Sequence, residues 1–258
     1  MQSTVIVVPC WNEESRLPLA RFEAFLAAEP DVGFVLVDDG STDRTRERLR
    51  SLEQAAPERV QLLLLDANRG KAEAVRRGVL EALKGEARFV GFWDADLATP
   101  LGEILDFRRL LESRPELEIV MGARVRLLGR DIRRSALRHY LGRLSATWIA
   151  LALGLRVYDT QCGAKLFRNG PRLAALFREP FLSTWLFDVE VLARWIAQDA
   201  QAGGAGVRGA LYEYPVAEWA DVGGSKLRPG AYLRAALDLF RIRRRYLRRA
   251  APGVAPRP

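Results

Sequence analysis

Cysteine, histidine and long apolar runs are all scarce in this chain. Cys10 and Cys162 are its only cysteines. Two are too few for a disulfide framework, and they lack the paired spacing of a cysteine metal site. The single histidine, His139, stands in a basic amphipathic stretch where nothing orients it for proton transfer, so it reads as a surface residue. No uninterrupted apolar segment reaches the ~20 residues that span a bilayer. Met1 is followed almost at once by a strand-like run, which leaves no room for a signal peptide. These absences predict a reducing, cytoplasmic compartment and no membrane-spanning helix. There is also no internal repeat and no clear break between domains.

Positive charge is abundant. Forty Lys and Arg face thirty-two Asp and Glu, a net charge of +8 over 258 residues. Such a chain favours acidic partners: nucleotides, phosphorylated substrates, anionic lipid or nucleic acid. Hydrophobic residues make up 49% of it, enough for a large globular core.

Four short apolar runs punctuate the first hundred residues: 4–9, 34–37, 60–65 and 89–93. Each ends in polar residues and is followed by a helix-like stretch, over 15–29, after Ser41 or Thr42 as cap, over 71–83, and over 104–111. Strand, loop and helix repeated in this order specify a mostly parallel α/β sheet with helices on both faces. Right-handed crossovers then bring the strand-end loops to one edge. Beyond residue 100 the pattern loosens. A strand is expected over 118–121 and another over 210–216, with 218–229 as loop. Leu137, Tyr140, Leu141, Leu144, Trp148, Leu151 and Leu155 fit one helical stripe beside Arg138, His139 and Arg143. A helix is expected in the second half of 181–195, and a last one over 231–249.

The strand-end residues carry chemistry. Asp94 and Asp96 close the fourth run, and a pair of unscreened acids is too costly to leave in a core. Projected past the strand, they can offer oxygens to one hard cation, Mg²⁺ or Mn²⁺. Asp38 and Asp39 can accept from a base or ribose. Asn68, Arg69, Gly70 and Lys71 combine a turn, two cations and a helix start, which suits phosphate. Trp11 can stack on a base and Glu13 can accept from a ribose. Arg124 and Arg126 have the forked donors that suit pyrophosphate. Asp159, Lys165, Asp188 and Glu190 are further charges near apolar segments. Being two apart, Asp188 and Glu190 do not share a helix face, so at most one points into a site. Each fragment alone has a plainer reading as a solvated loop, a turn with a cap, or ordinary Trp packing. Their succession along one sheet edge favours a ligand site.

The segments VVPCWNEE, VDDGSTD, NRGKAEAVRRG and DADLATP, in that order, resemble family-2 glycosyltransferases of the GT-A fold. Later segments GAR, RSALRHYLGR, DTQCGAKLFR and FDVEVLAR resemble the polyprenyl-phosphate sugar transferases within that family. EWADVGGSKLRP resembles the dolichyl-phosphate β-glucosyltransferases. The resemblance implies a GT-A domain over 1–230, then a basic helix and Pro-rich tail over 231–258. It implies a nucleotide sugar as donor, UDP-glucose favoured over GDP-mannose, a polyprenyl phosphate as acceptor, and Mg²⁺ or Mn²⁺ as cofactor. Carried over by position, Pro9, Trp11, Glu13 and Asp39 would hold the nucleoside, with Asp38 beside them. Lys71, Ala95, Arg124 and Lys226 would join the nucleotide-sugar set, the last two at phosphates. Asp96 would bind the metal, with Asp94 at the nucleotide, sugar or metal. Asp159 and Asp188 would approach the transferred sugar. Two departures stand out: Ala98 replaces a Gln that serves some mannosyl-transferring relatives as a metal ligand, and the spanning helices common in relatives are missing.

Residues 133–155 and the arginines of the C-terminal helix, Arg241, Arg243, Arg244, Arg245, Arg248 and Arg249, suggest peripheral contact with the anionic cytoplasmic membrane face. Each cation near such a surface contributes about 1 kcal/mol. Two other readings stand beside this one. The first is a soluble family-2 transferase with a small or protein-linked acceptor. The second is a nucleic-acid-binding module, which the acids crowding the ligand edge oppose.

Overall fold

The computed structural model of the chain describes residues 2–133, 136–203, 207–220 and 231–247, without the side chains of residues 133, 136–141, 143, 144, 208, 231 and 232. The four apolar runs are parallel strands β1 (Thr4–Cys10), β2 (Val32–Asp38), β3 (Val60–Leu64) and β4 (Phe89–Trp93). Every residue of β2 and β4 is buried, as expected of strands covered on both faces. Along β1 the two faces feed different cores. Ile6 and Val8 join Phe22, Leu49 and Phe107 on one side, while Val7 joins Val75, Val79 and Phe92 on the other. The first layer is built from α1 (Leu19–Ala28), α2 (Thr45–Ala55) and α4 (Glu103–Ser113), the second from α3 (Lys71–Ala82) together with the helices over Pro171–Arg178 and Phe187–Gln201. Gly78 lets α3 sit on the sheet, because a Cβ there would lie 2.3 Å from Val7 Cγ1.

The remaining elements are β5 (Ile119–Ala123), β6 (Asp131–Arg133), α5 (Ala136–Leu153), β7 (Ala164–Arg168), α6 (Pro171–Arg178), α7 (Phe187–Gln201), β8 (Leu211–Pro215), β9 (Glu218–Ala220) and α8 (Ala231–Ile242). The seven-stranded sheet runs β3-β2-β1-β4-β7-β5-β8. Strand β7, inside DTQCGAKLF, is inserted antiparallel between β4 and β5, a strand that the apolar pattern did not mark. Its side chains are buried because both neighbours are core strands, yet it carries Lys165, which breaks the apolar signature.

Other expectations need correction. Helix α1 starts at Leu19 rather than Ser15, because Arg16 and Leu17 donate to the Glu13 carbonyl in a turn ahead of Pro18. The hydroxyls of Ser41 and Thr42 do not cap α2. Ser41 Oγ accepts from the Asn12 amide at 3.1 Å and Thr42 donates to Asn12 Oδ1, while Asp43 Oδ1 accepts from Thr45 N–H at 2.9 Å. Part of the expected loop at 218–229 is β9, paired in parallel with β6. The last helix gives way after Ile242 to a π-helical turn, Arg243–Leu247, and the expected helical residues 248 and 249 lie outside the described residues. In α5, Ile149 and Leu153 are buried, whereas Trp148 and Leu151 of the predicted stripe face outward. Among the described residues, no helix is long and apolar enough to cross a membrane.

Candidate active site

The ends of β1, β2 and β4 and the start of α3 meet in a cleft of about 430 Å³. Pro9, Trp11, Glu13, Asp39, Asn68, Gly70, Lys71, Asp94, Ala95 and Asp96 line it, together with Arg16. The carboxyl ends of parallel strands therefore converge as the chain order predicts.

The two acids after β2 part company. Asp38 is fully buried, accepting from the Ser41 amide at 3.0 Å and from Arg46 Nε at 2.8 Å. It braces the loop and does not line the cleft. Asp39 does, and its oxygens accept from the Arg69 and Gly70 amides at 2.7 and 2.8 Å. That clamp sets the turn that presents Lys71. Burial raises the Asp39 pKa, and the two amides oppose the shift. Trp11, half exposed at 51%, leaves an aromatic face available at the rim.

Glu13 is buried. Its Oε1 meets Arg16 Nη2 at 2.5 Å, and its Oε2 has no hydrogen-bond partner among the described residues. An orphaned buried carboxylate oxygen in a cleft is an acceptor left without a donor. Burial raises the Glu13 pKa, with Asp96 and Asp94 adding repulsion and Arg16 opposing.

Lys71, on the first turn of α3, forms an ion pair with Asp94. Burial pulls the Lys71 ammonium down, but Asp94 and Asp188 override this and raise it. The Asp94 carboxylate rests on Gly163, where a Cβ would lie 1.9 Å from Asp94 Oδ2. The Asp94 amide also donates to the Gly163 carbonyl at 3.0 Å. Asp96 Oδ1 accepts from Ala98 N–H at 3.1 Å, and the intervening Leu97 is held at φ 50°. A left-handed leucine is costly and persists only where surroundings enforce it. Here Asp94, Asp96 and burial of the leucine side chain do so. Burial and the neighbouring Asp94 charge raise the Asp96 pKa.

Arg124 and Asp159 meet each other. Arg124 Nε and Nη2 donate to the two Asp159 oxygens at 2.6 and 2.8 Å, and the Arg124 amide adds a third bond at 3.1 Å. Burial pushes the Asp159 carboxyl up, but the Arg124 guanidinium overrides it and holds it at about 2. Two residues not singled out in the sequence complete this corner. Glu213 of β8 accepts from the Tyr158 and Asp159 amides at 2.8 Å, and the Trp219 ring of β9 lies 5.3 Å from the Arg124 guanidinium. An acid flanked by tyrosines in a predicted strand was the only signal for Glu213. Replacing Asp159 by Asn should cost about 3 kcal/mol or more, since Arg124 is left without its counter-charge. A depressed pKa stabilises the fold above the ordinary value of 3.8, and that contribution vanishes as pH falls through about 2. Urea unfolding of D159N should therefore be flatter with pH across that window than the parent.

Lys165 is 2% exposed, and its Nζ contacts Asp188 Oδ1 at 2.5 Å and the Cys162 carbonyl at 2.7 Å. Burial raises the Asp188 pKa, with Lys165 opposing. Glu190 is turned away, accepting from Leu182 N–H and from Arg194 and Tyr246. Lys226 and the His139 side chain lie outside the described residues, and Arg126 is exposed.

Asp94 and Asp96 bring carboxylate oxygens to the cleft, donors that suit a hard divalent cation, with Lys71 and Arg16 beside them. Among the described residues, no group of three or more His, Cys, Asp or Glu is arranged to hold a metal unaided. A cation here would need Asp96 and Asp94 supplemented by oxygens of the ligand or water.

A mostly parallel sheet whose strand-end loops line one cleft is a GT-A-like fold. Crystal structures of Mycobacterium tuberculosis glucosyl-3-phosphoglycerate synthase share this fold. One bound to phosphoglyceric acid has a TM-score of 0.63 at 18% identity, covering 94% of this chain and 80% of that one. Another, with Mn²⁺, UDP and glucosyl-3-phosphoglycerate, has a TM-score of 0.62 at 18% identity and covers 98% and 81%. The family model for Glycosyl transferase family 2 matches residues 5–175, and the chain belongs to that family. It is 35% identical to the dolichyl-phosphate beta-glucosyltransferase of Mus musculus, over 94% of this chain and 75% of that protein. It is 33% identical to the Dictyostelium discoideum enzyme of the same name (94% and 74%) and 31% identical to that of Saccharomyces cerevisiae (94% and 74%).

Proposed function

We propose that this chain transfers glucose from UDP-glucose to a polyprenyl phosphate of the dolichyl type, with inversion at the sugar and with Mg²⁺ or Mn²⁺. One observation carries the choice of acceptor. The likeness to dolichyl-phosphate beta-glucosyltransferases does not stop at residue 175, where the family match ends, but spans 94% of the chain. Donor binding falls to the cleft: Trp11 against the base, Pro9, Glu13 and Asp39 around the nucleoside, Lys71 and Ala95 near the phosphates. Asp96, with Asp94, would hold the cation, whose charge would stabilise the departing diphosphate.

The acceptor phosphate is already anionic at neutral pH. One of its oxygens forms the new bond to the anomeric carbon as the carbon–oxygen bond to UDP breaks, and the bonding electrons leave on UDP. No proton must be removed. Asp159 agrees with this. Asp159, held at about 2 by Arg124, is a weak base at neutral pH and serves to fix Arg124 for phosphate. Asp188 is engaged by Lys165 and orients groups beside the sugar. The arginine-rich turn after α8 supports peripheral attachment to the anionic cytoplasmic face of a membrane.

The test is a thermal-shift series followed by a transfer assay. UDP and UDP-glucose with Mn²⁺ should raise the melting temperature well above the shifts from GDP or GDP-mannose. Transfer should require a polyprenyl phosphate and yield a lipid-linked glucose of β configuration. Equal turnover without any lipid phosphate, or a preference for GDP-mannose, would sink the reading.

A further inference from the structure

A second concavity, about 670 Å³, lies between α5 and α8, and its chemistry is opposite to that of the catalytic cleft. Trp148 and Leu151 contribute from α5, Leu239 and Phe240 from α8, and Trp185 and Leu186 from the segment before α7. Arg243 is the one charged residue lining it among the described residues. Trp148 is 63% exposed and Phe240 58%. Large apolar side chains clustered in the open at this scale mark a binding surface rather than chance exposure.

The groove adjoins the catalytic edge. Gln161 in its lining is two residues from Asp159, and Leu186 is two residues from Asp188. Thr184, next to the lining residue Trp185, lies against Gly70, where a Cβ would be 3.8 Å from its side chain. Helix α8 is fastened to this same segment. Ser183 Oγ donates to Asp238 at 2.8 Å, and the Tyr246 hydroxyl donates to Glu190 at 3.1 Å. The groove therefore has a wall tied to the α7 region that carries Asp188.

The occupant can be chosen by chemistry. The chain segments outside the described residues are poor candidates: 221–230 holds Val222 and Leu227 as its only large apolar residues, and 248–258 only Val254. The groove asks for a long apolar ligand, and its position asks that this ligand carry an anionic group at one end, within reach of Arg124 and Lys71. We infer that the groove between α5 and α8 seats the isoprenoid chain of the acceptor, next to the phosphate held at the catalytic edge. This inference rests on the lipid-phosphate reading above and adds the location of the hydrocarbon.

Ala236, exposed on α8 within the groove, gives the test. Ala236→Trp fills the groove without touching the buried core. Binding of a long-chain polyprenyl phosphate in detergent, followed by tryptophan emission without donor, should weaken about tenfold or more. The KM for that acceptor should rise in parallel, whereas that for a short, water-soluble prenyl phosphate should not. Melting temperature and UDP affinity should stay at parental values, which separates groove filling from misfolding. Unchanged long-chain binding, or equal losses for both acceptors, overturns the inference. So does a shift in sedimentation showing that the substitution breaks a dimer, since the groove would then be covered by a second copy. A parent that binds the lipid but transfers nothing to it would refute the reaction and leave the groove assignment standing.

Discussion

Asp96→Ala should lower Mn²⁺-dependent transfer by about 100- to 1000-fold, the scale seen when a group that stabilises developing charge is lost. The fold should survive. Burial and the Asp94 charge raise the Asp96 pKa, so the ionised carboxylate is disfavoured where it sits. A raised folded-state pKa means that this group's contribution to stability declines as pH rises through that value. Removing the charge at neutral pH relieves that penalty while Asp96→Ala loses the bond to the Ala98 amide, so the two effects oppose each other and the melting temperature should change little. Asp96→Asn keeps an oxygen for the Ala98 amide and the Leu97 turn, and should show the same loss of transfer with even less structural change. UDP affinity measured with and without Mn²⁺ supplies a readout besides turnover: the parent should gain affinity with the metal and the variants should not. Near-normal transfer by either variant would remove Asp96 from the metal role.

Gly163→Ala should be nearly as damaging, through a residue with no side chain. The added methyl would occupy the place of the Asp94 carboxylate, at 1.9 Å from Oδ2. The Asp94 side chain can swing away more cheaply than the paired strands can part, because the Asp94–Gly163 backbone bond and the β4–β7 register hold them. The expected result is a folded protein in which Asp94 and its ion pair with Lys71 are displaced. An error of about 1 Å in a reacting group can cost on the order of 100-fold. The drop should fall on kcat, with UDP affinity reduced less. If Asp94 is indifferent to its position, G163A will turn over like the parent and the assignment of Gly163 as its positioning residue fails.

Asp94 and Asp96 were legible because an apolar run ending abruptly in acids has few physical outcomes: the strand is buried and the charges must leave it. Lys71 was legible for a related reason, as a cation after a glycine turn at a helix start. Gly163 was invisible. Its importance comes from the approach of β7 to β4, residues some seventy positions apart in sequence, and nothing in DTQCGAKLF marks an antiparallel strand carrying a buried lysine. Asp38 and Asp39 looked equivalent as neighbours. Alternation along the chain end sends one carboxylate to Arg46 beneath the loop and leaves the other in the cleft wall.

Arg124 and Asp159 were both expected at the ligand, and the fold pairs them with each other. A sequence places charges near a site but does not say which will neutralise which, since that depends on distances of a few ångströms set by packing. The same holds for Asp188 and Lys165, which pair across two elements, and for Glu190, which meets Tyr246 as well as Arg194 one turn along α7. The alternating strand–helix order, the common edge for the strand ends and the acid pair at that edge follow from local chemistry, because periodicity and the cost of burying charge act over short stretches of chain. The antiparallel β7, the glycine beneath Asp94, the pairing of the buried charges and the apolar groove beside α8 arise in folding alone. Each of these rests on contacts between segments far apart in the chain, and those contacts come into being only when the two cores close.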